Sequence, residues 1–459
     1  RVGPKVLLMQ ANTDFRAESS HAAERDAVEQ SFAQAVVWGF KAEAISGDRV
    51  LIDMTEFSLR DAHGIVAKLK AMNEGAFKVD ASRSAIFLDR TKNFPRNAEI
   101  ESTITYVTDG EMGRHLRSVA PSAAEFTVRQ HHSFVELPGS GYSPRRFDPR
   151  SGYFDVKFAD YAAPIEEGIE KRLLPRHRLR KKDPSAKRSD AVEPIVYYLD
   201  RGAPEPIRGA LLEGARWWNQ AFEAAGYRNA FQVELMPEGA DPMDLRYNVI
   251  QWVHRSTRGW SYGSSVVDPR TGEILKGHVT LGSLRVRQDY LIATGLLAPY
   301  EEGKPVDPRM KEMALARLRQ LAAHEVGHTL GLAHNFAASL NGNASVMDYP
   351  HPFIALNAAG TVDLGNAYST GMGEWDKAAI AYGYQDFPAE TEEAAALEAI
   401  LRNAYGKGLR YMSDADVRPA GSASPDGHLW DNGPDPAAEL LRLTRVRQAA
   451  LERFSESVL

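Results

Sequence analysis

Residues 323–335 read AHEVGHTLGLAHN, and the interpretation of the whole chain starts from this stretch. It has the spacing His-Glu-x-x-His-x-x-Gly-x-x-His, in which the glycine is Gly331. His324 and His328 are four residues apart, so on a helix their imidazoles lie on one face, one turn apart. Two neutral imidazoles placed in this way predict a shared metal ion, and the spacing is typical of zinc.

The third histidine of the motif requires the chain to reverse. A continuing helix would carry His334 about 15 Å beyond His324 along its axis, too far to share the ion. We expect Gly331 to adopt the left-handed backbone conformation that such a reversal needs. His334 then becomes the third ligand, and three protein ligands leave a fourth position open, which is typical of a catalytic site. Glu325, beside the first ligand, is predicted to take a proton from water at the ion.

Two other interpretations of the motif stay open. In the first, a downstream carboxylate such as Glu374 replaces His334 as the third ligand. In the second, the chain is a binding or scaffolding protein of the cell envelope that retains zinc without cleaving a substrate. The presence of Glu325 argues against the second interpretation, because a non-catalytic site has no need of a base there.

The composition is that of an ordinary globular protein. A length of 459 residues suggests two to four domains, and a net charge of −6 does not indicate a nucleic-acid-binding protein. No apolar run approaches the length that spans a bilayer. Because the chain has no cysteine, disulfides and thiolate ligands are excluded, and a metal must be held by nitrogen or oxygen ligands.

Both ends of the sequence suggest that it is part of a longer polypeptide. It begins with Arg1 rather than methionine and shows no signal sequence. The last stretch, residues 439–459, has a helical pattern and stops without a cap. We therefore expect further sequence beyond these ends.

Residues 1–170 are predicted to form a β-rich α+β domain. Apolar or alternating runs predict strands over residues 5–10, 50–54, 85–88, 100–107 and 126–130. Helices are predicted over residues 24–40 and 58–72, with Asp61 starting the second. His131 and His132 follow the last of these strands, and since adjacent strand residues face opposite sides, we expect no joint metal ligation.

Residues 171–190 are strongly basic, reading KRLLPRHRLRKKDPSAKRSD. One interpretation is a contact with an anion or with the cell envelope. The other is a solvated linker between two domains, and we favour it because charge runs usually face water.

A second domain is predicted over residues 191–385, followed by a helical C-terminal extension over residues 386–459. The turn DPRTGE at residues 268–273 is expected to join two strands, the second of which lies at a sheet edge. Such an edge can bind an extended substrate through main-chain hydrogen bonds. Asp307 and Pro308 are predicted to cap and start the zinc-binding helix, which runs to about Leu330.

Met347 lies thirteen residues after His334, in the sequence Ser-Val-Met-Asp-Tyr. Together with the long histidine motif, it resembles the metzincin metallopeptidases, in which a methionine-containing turn lies beneath the metal. The resemblance implies a zinc site with Met347 beneath it, the general base Glu325 and the ligands His324, His328 and His334. Tyr349 matches the tyrosine that binds zinc or stabilises the tetrahedral intermediate in astacin- and serralysin-like members.

In detail, the whole sequence is similar to bacterial zinc-dependent metalloproteases with a met-zincin-like domain behind a poorly characterised N-terminal domain. That resemblance implies an α+β fold with a twisted mixed sheet and an active-site helix, and a zinc endopeptidase acting on peptides or proteins. It also implies a periplasmic, cell-envelope or extracellular location. Asn335, after the third histidine, departs from the better-known metzincin families, so their substrate class is not carried over.

Overall fold

The computed structural model describes residues 1–256, 259–298, 305–422 and 424–454. Two compact units divide the chain. The N-terminal unit comprises Arg1–Gly139, Phe158–Lys171 and Met243–Arg246, and the C-terminal unit comprises Ser140–Lys157, Arg172–Pro242 and Tyr247–Leu459. Both units combine strands with helices, so the predicted α+β class is confirmed. Within the described residues, no helix is both long enough and apolar enough to cross a membrane.

The first part of the chain alternates short helices with longer strands. In order, its elements are β1 (Lys5–Gln10), β2 (Phe15–Arg16), α1 (Ala22–Ser31), β3 (Ala35–Ser46), β4 (Arg49–Ile52), α2 (Thr55–Leu59), α3 (Ile65–Ala71), β5 (Lys78–Ile86), a 3₁₀ turn (Leu88–Arg90), β6 (Lys92–Asn93), β7 (Asn97–Val107), α4 (Arg114–Val119), β8 (Glu125–Val135), β9 (Val156–Asp160) and β10 (Glu170–Leu173).

A four-stranded antiparallel sheet forms the core of the N-terminal unit. Its central strand, β7, pairs with β5, β6 and β8. The alternation recognised at residues 100–107 buries Ile104 and Tyr106, which pack with Phe77 and Met112. The predicted β-rich character of this region is therefore confirmed.

The helix predicted over residues 24–40 is wrong beyond Ser31. Helix α1 ends there, and β3 then pairs antiparallel with both β1 and β4. The sequence AVVWGF at the start of β3 is rich in β-branched and aromatic residues, which favour a strand once neighbouring strands supply hydrogen bonds. Phe32, which the predicted helix would have included, instead stacks on Phe15 with ring centroids 4.0 Å apart.

The helix predicted over residues 58–72 is interrupted. Helix α2 ends at Leu59, and α3 begins at Ile65 after Gly64, which has a φ of 62°. The Asp61 carboxylate accepts hydrogen bonds from the N–H groups of Ile65 and Val66 at 2.8 and 3.0 Å. Asp61 therefore caps the first turn of α3, but the helix begins at Ile65 rather than at Asp61, and the predicted continuous helix was wrong.

His131 and His132 face opposite sides of β8, as predicted. His131 bonds to the carboxylate of Glu99, whereas the ring of His132 lies 5.0 Å from the ring of Phe57. The two imidazoles thus serve separate packing environments and do not form a ligand pair.

The C-terminal unit contains the remaining elements. They are β11 (Arg176–His177), β12 (Ser189–Asp190), β13 (Ile195–Leu199), α5 (Ile207–Arg216), α6 (Trp218–Ala224), β14 (Tyr227–Arg228), β15 (Phe231–Leu235), β16 (Asn248–Val253), β17 (Tyr262–Val267), β18 (Glu273–Gly282), α7 (Leu284–Leu297), α8 (Pro308–Thr329), a 3₁₀ turn (Ala338–Asn341), β19 (Ala355–Leu356), β20 (Val362–Asp363), α9 (Glu374–Tyr384), α10 (Glu393–Gly406), α11 (Asp414–Val417) and α12 (Pro436–Glu452).

The C-terminal unit is built on a mixed sheet in the order β11-β18-β16-β13-β15, with β17 paired to β18. Strand β17 runs antiparallel to β18, and the other pairings are parallel. The prediction that the second hairpin strand forms an edge is wrong. Strand β18 is internal, because it pairs with β16 as well as β17, and most of its residues are buried. The edge strand is β17, whose burial alternates along the strand.

Helix α8 is held by the core of the C-terminal unit. It packs on α5 and against β17 and β18. The side chain of Trp218 is fully buried, and its Nε1 donates a hydrogen bond to the carbonyl of Ala323 at 2.8 Å. Phe222 stacks on Phe231 with ring centroids 5.6 Å apart. The first contact joins α6 to α8, and the second joins α6 to the sheet.

The basic stretch at residues 171–190 is not solvated throughout. Its strand β11 pairs in parallel with β18, and His177 Nε2 lies 3.1 Å from both the Tyr197 hydroxyl and the Thr329 carbonyl. The buried members of the stretch are Leu174, Pro175, Arg176, His177, Leu179, Lys181 and Ser189. The interpretation as a solvated linker is therefore wrong for these buried residues, whereas Arg178 and Arg180 between them are exposed. The domain boundaries at residues 170, 190 and 385 stay predictions.

The Asp307 cap of α8 provides a test of the fold. Its carboxylate accepts the N–H of Arg309 at 2.9 Å, and Pro308 is the first helical residue, as predicted. We expect Asp307→Ala to lower the free energy of unfolding of the C-terminal unit by about 1 kcal/mol, because a helix N–H loses its acceptor. Urea denaturation followed by tryptophan fluorescence measures the change. Asp307→Asn is the control, since asparagine also caps helices; equal losses in both variants would contradict the capping role.

Candidate metal centre

Helix α8 carries the first two histidines of the motif. The rings of His324 and His328 lie one turn apart, with centroids separated by 4.8 Å. His324 and the intervening Glu325 are both buried. This is the arrangement that the four-residue spacing predicts for a helix.

The chain reverses at Gly331, directly after α8. Its φ is 98°, in the left-handed region that favours glycine. A Cβ at this position would lie 2.0 Å from the carbonyl oxygen of Pro175, so close backbone approach also requires glycine. The reversal returns His334 to the helix, with its ring centroid 5.2 Å from that of His324 and 4.7 Å from that of His328. The predicted left-handed turn is therefore confirmed.

Each of the three imidazoles turns its Nδ1 toward an oxygen atom. For His324, His328 and His334 respectively, that oxygen belongs to the Val346 carbonyl at 2.8 Å, the Leu332 carbonyl at 2.8 Å and the Asp414 carboxylate at 2.6 Å. Carbonyl and carboxylate oxygens accept hydrogen bonds, so Nδ1 carries the proton in each ring. The Nε2 atoms are left with their lone pairs free to act as ligands.

The lone pairs of the three rings converge. One nitrogen from each histidine lies within 4.8 Å of the others, and the Nε2 atoms of His328 and His334 are 3.2 Å apart. His324 Nε2 is buried and has no hydrogen-bond partner within the part of the chain that the structure describes. Three facing acceptors with no donor between them repel one another unless a cation lies among them. The donor set, three neutral imidazoles, fits zinc.

Burial keeps the helical histidines neutral. It lowers the pKa of His324 well below its ordinary value, and the nearby His328 and His334 lower it further. Burial also lowers the pKa of His328 to about 4, with His334 contributing in the same direction. Since neutral imidazole is the form that binds metal, both rings are ready to act as ligands at neutral pH.

Glu325 lies next to this cluster in an unusual electrostatic environment. Burial raises the pKa of its carboxyl to about 7, against the opposing effects of Arg317 and the N–H of Gly263. Gly263 belongs to the edge strand β17, and a Cβ on it would lie 2.1 Å from the Glu325 carbonyl oxygen. A carboxyl with a pKa near neutrality can both accept and return a proton.

Met347 lies in the turn formed by residues 345–349, hereafter the methionine turn. It is buried, and its Sδ would lie 2.3 Å from a Cβ at Gly327, between the two helical histidines. Asp376 holds the turn, because its carboxylate accepts the Ser345 hydroxyl at 2.6 Å and the Val346 N–H at 3.0 Å. The methionine therefore packs against the histidine motif, where the resemblance to metzincins placed it.

Tyr349, at the end of the methionine turn, lies against the histidines. Its ring centroid is 4.6 Å from that of His334 and 5.1 Å from that of His324. On its other side, the ring of Trp430 lies 5.4 Å away. Burial and then the charge of Glu325 raise the pKa of the Tyr349 phenol, so the hydroxyl stays protonated at neutral pH.

Asp414 is the residue of the site that sequence reasoning missed. It lies 80 residues after His334, at the start of α11, and also binds Arg418 at 2.9 Å. Burial opposes its ionisation, but the hydrogen bonds from His334 and Arg418 and the charge of Arg418 outweigh burial and lower the pKa of Asp414 to about 2. No spacing rule points to a partner this distant.

Asn335 explains how a distant segment reaches the metal centre. Its buried side chain donates to the Arg410 carbonyl at 2.9 Å and accepts the Met412 N–H at 3.1 Å. The residue that departs from the better-known metzincin pattern thus ties the segment before α11 to the third histidine.

Glu374, the alternative third ligand, lies outside the histidine cluster. It begins α9, and its carboxylate binds Lys377 at 2.6 Å. Its side chain is 64% exposed, whereas the His334 side chain is 14% exposed. The geometry favours His334.

Two family models match the chain. Residues 306–459 match a family described as Met-zincin, and residues 1–182 match one described as a domain of unknown function (DUF5117). No curated protein matches the chain. The first match contains α8, the three histidines and the methionine turn, so family and geometry agree. The chain therefore carries a met-zincin family domain behind an N-terminal domain of unknown function.

Proposed function

We propose that this protein is a zinc-dependent endopeptidase. The observation that carries the proposal is the convergence of three imidazole lone pairs beside a buried carboxyl whose pKa is about 7. His324, His328 and His334 would hold the ion, which leaves one position for substrate or water. When bound, zinc would act as a Lewis acid that polarises the scissile carbonyl and lowers the pKa of the attacking water.

Glu325 is the proposed general base. Its carboxylate takes the proton from the attacking water and then gives it to the leaving amine. The N–H of Gly263 helps to orient this carboxylate from the edge strand. The hydroxyl of Tyr349, which stays protonated, is proposed to donate a hydrogen bond to the oxygen that becomes negative during hydrolysis.

The edge strand β17 is the proposed binding surface for a peptide or protein substrate. Among the described residues, β17 pairs antiparallel with β18 along one side. An extended peptide adds to such an edge through main-chain hydrogen bonds, which requires no particular side-chain sequence. Because Gly263 lies on this strand, the added peptide would pass next to Glu325. A periplasmic, cell-envelope or extracellular location is part of this proposal and rests on the family resemblance alone.

Glu325→Gln separates catalysis from metal binding. We expect the variant to retain one zinc per chain but to lose hydrolysis by a factor of about 10² to 10⁴, because the amide cannot take a proton. Digestion of a peptide library, with and without chelator, measures activity and specificity, and elemental analysis measures zinc. Full activity in the variant would refute the role of Glu325 as general base. Zinc binding without cleavage in the wild type would instead favour the non-cleaving binding or scaffolding protein.

His334→Ala tests the third ligand, with Glu374→Ala as the matched comparison. We expect the first variant to lose tight zinc binding, because two ligands remain, whereas Glu374→Ala should bind zinc like the wild type. Competition with a chromogenic chelator gives both affinities. The opposite order would transfer the ligand role to Glu374.

Asp414→Ala tests the hydrogen bond that orients the third ligand. We expect zinc affinity to fall by about 10- to 100-fold, because His334 loses the acceptor that fixes its ring and tautomer. Asp416→Ala is the control: Asp416 caps the same short helix through Ser413 but does not contact His334. An equal loss in both variants would show that helix stability, rather than the Asp414 contact, determines affinity.

A further inference from the structure

Four arginines line a small cavity in the C-terminal unit, among residues outside the metal centre. The cavity has a volume of about 160 Å³ and lies between segments around residues 141–145, 176–180 and 384–393. We call it the arginine pocket and define it by Arg145, Arg176, Arg178 and Arg180. Three of these come from the basic stretch that the sequence left with two interpretations.

Arg176 is buried without a matching negative charge. Only 7% of the residue is exposed to solvent. Its Nη2 donates to the Ser143 carbonyl at 2.8 Å, but its Nε has no acceptor among the residues that the structure describes. Within the same residues, no carboxylate lies at ion-pair distance from it. A buried guanidinium that retains an unused donor is costly unless a ligand satisfies it.

Arg145, the second buried guanidinium, is already satisfied. It donates to the Tyr382 carbonyl at 2.7 Å, the Gln385 carbonyl at 3.0 Å and the Glu393 carboxylate at 2.7 Å. Burial and then the charge of Arg176 lower the pKa of Arg145. The two buried cations therefore repel each other, and an anion between them would relieve that repulsion.

The pocket as a whole keeps an excess of positive charge. Arg178 forms a two-pronged pair with Glu273, with both distances 2.8 Å, and is thereby neutralised. Arg180 is exposed and has no acidic partner within the described part of the chain. The carboxylates that line the pocket are Glu393, which binds Arg145, and Asp386, which accepts the Lys181 N–H at 2.9 Å. With Glu273, the partner of Arg178, included, four guanidiniums are matched by three carboxylates.

We propose that the arginine pocket binds a small oxyanion, a phosphate or a carboxylate, through Arg176 and Arg180. Planar guanidinium groups match the paired oxygens of these anions and bind them more specifically than a point charge does. A cavity of about 160 Å³ accommodates an ion of this size, and the exposed Arg180 provides an open side for entry. The proposal does not depend on peptidase activity, because the pocket shares none of the metal-centre residues.

Isothermal titration of the 459-residue chain with inorganic phosphate and with acetate, against chloride at constant ionic strength, tests the proposal. We expect saturable binding of one oxyanion, and the stronger of the two identifies the ligand class. Arg180→Gln should weaken that binding about tenfold through loss of one charge-assisted hydrogen bond, without affecting the fold. Arg176→Gln should weaken it at least as much.

Arg201→Gln is the matched control, since it removes one exposed positive charge from the same unit, outside the pocket. It should bind the oxyanion like the wild type. Binding that is equal for all anions, or that falls equally in Arg180→Gln and Arg201→Gln, would overturn the proposal and leave the arginines a structural role. Thermal unfolding with and without phosphate shows whether Arg176→Gln is folded. If that variant fails to fold, the Arg180→Gln result decides alone.

Discussion

The metal centre depends on one constraint: three imidazoles can direct their Nε2 lone pairs to a common point only if their three N–H groups find acceptors elsewhere. Those acceptors come from three separate parts of the chain, namely Leu332 in the reversal, Val346 in the methionine turn and Asp414 in α11. The reversal, the methionine turn and the C-terminal segment therefore act together to orient the three histidines. Each fixes the tautomer and the orientation of one ring.

Strand β17 connects α8, which carries two of the three histidines, to the sheet. Because Gly263 lacks a side chain, the strand can approach the Glu325 backbone, and its N–H contributes to the environment of the Glu325 carboxylate. The same strand has an outer edge suited to main-chain pairing with a peptide. Helix α8 packs against β17 as well as β18, so substrate binding and proton transfer are proposed to meet at one strand.

The basic stretch combines two roles that its composition does not separate. His177 faces the core, where its Nε2 contacts Tyr197 and the carbonyl of Thr329 at the end of α8. Its neighbour Arg176 lines a cavity with three other arginines. Alternation along the short strand β11 places these two side chains in different surroundings. A count of positive charges predicted solvation because it contains no information about which residues a strand buries.

The sequence by itself determined the local features whose cause lies within a few residues: the Asp307 cap, the turn of helix between His324 and His328, the left-handed Gly331 and the role of Asp61 at the N-terminus of α3. Helical spacing and backbone sterics act over one or two turns, so these features needed no knowledge of the fold. Tertiary structure alone decided that residues 35–46 form a strand, that β17 rather than β18 is the edge and that Asp414 supports the third histidine. Strand pairing and hydrogen bonds between residues 80 positions apart depend on which segments meet in space, and no local pattern records that.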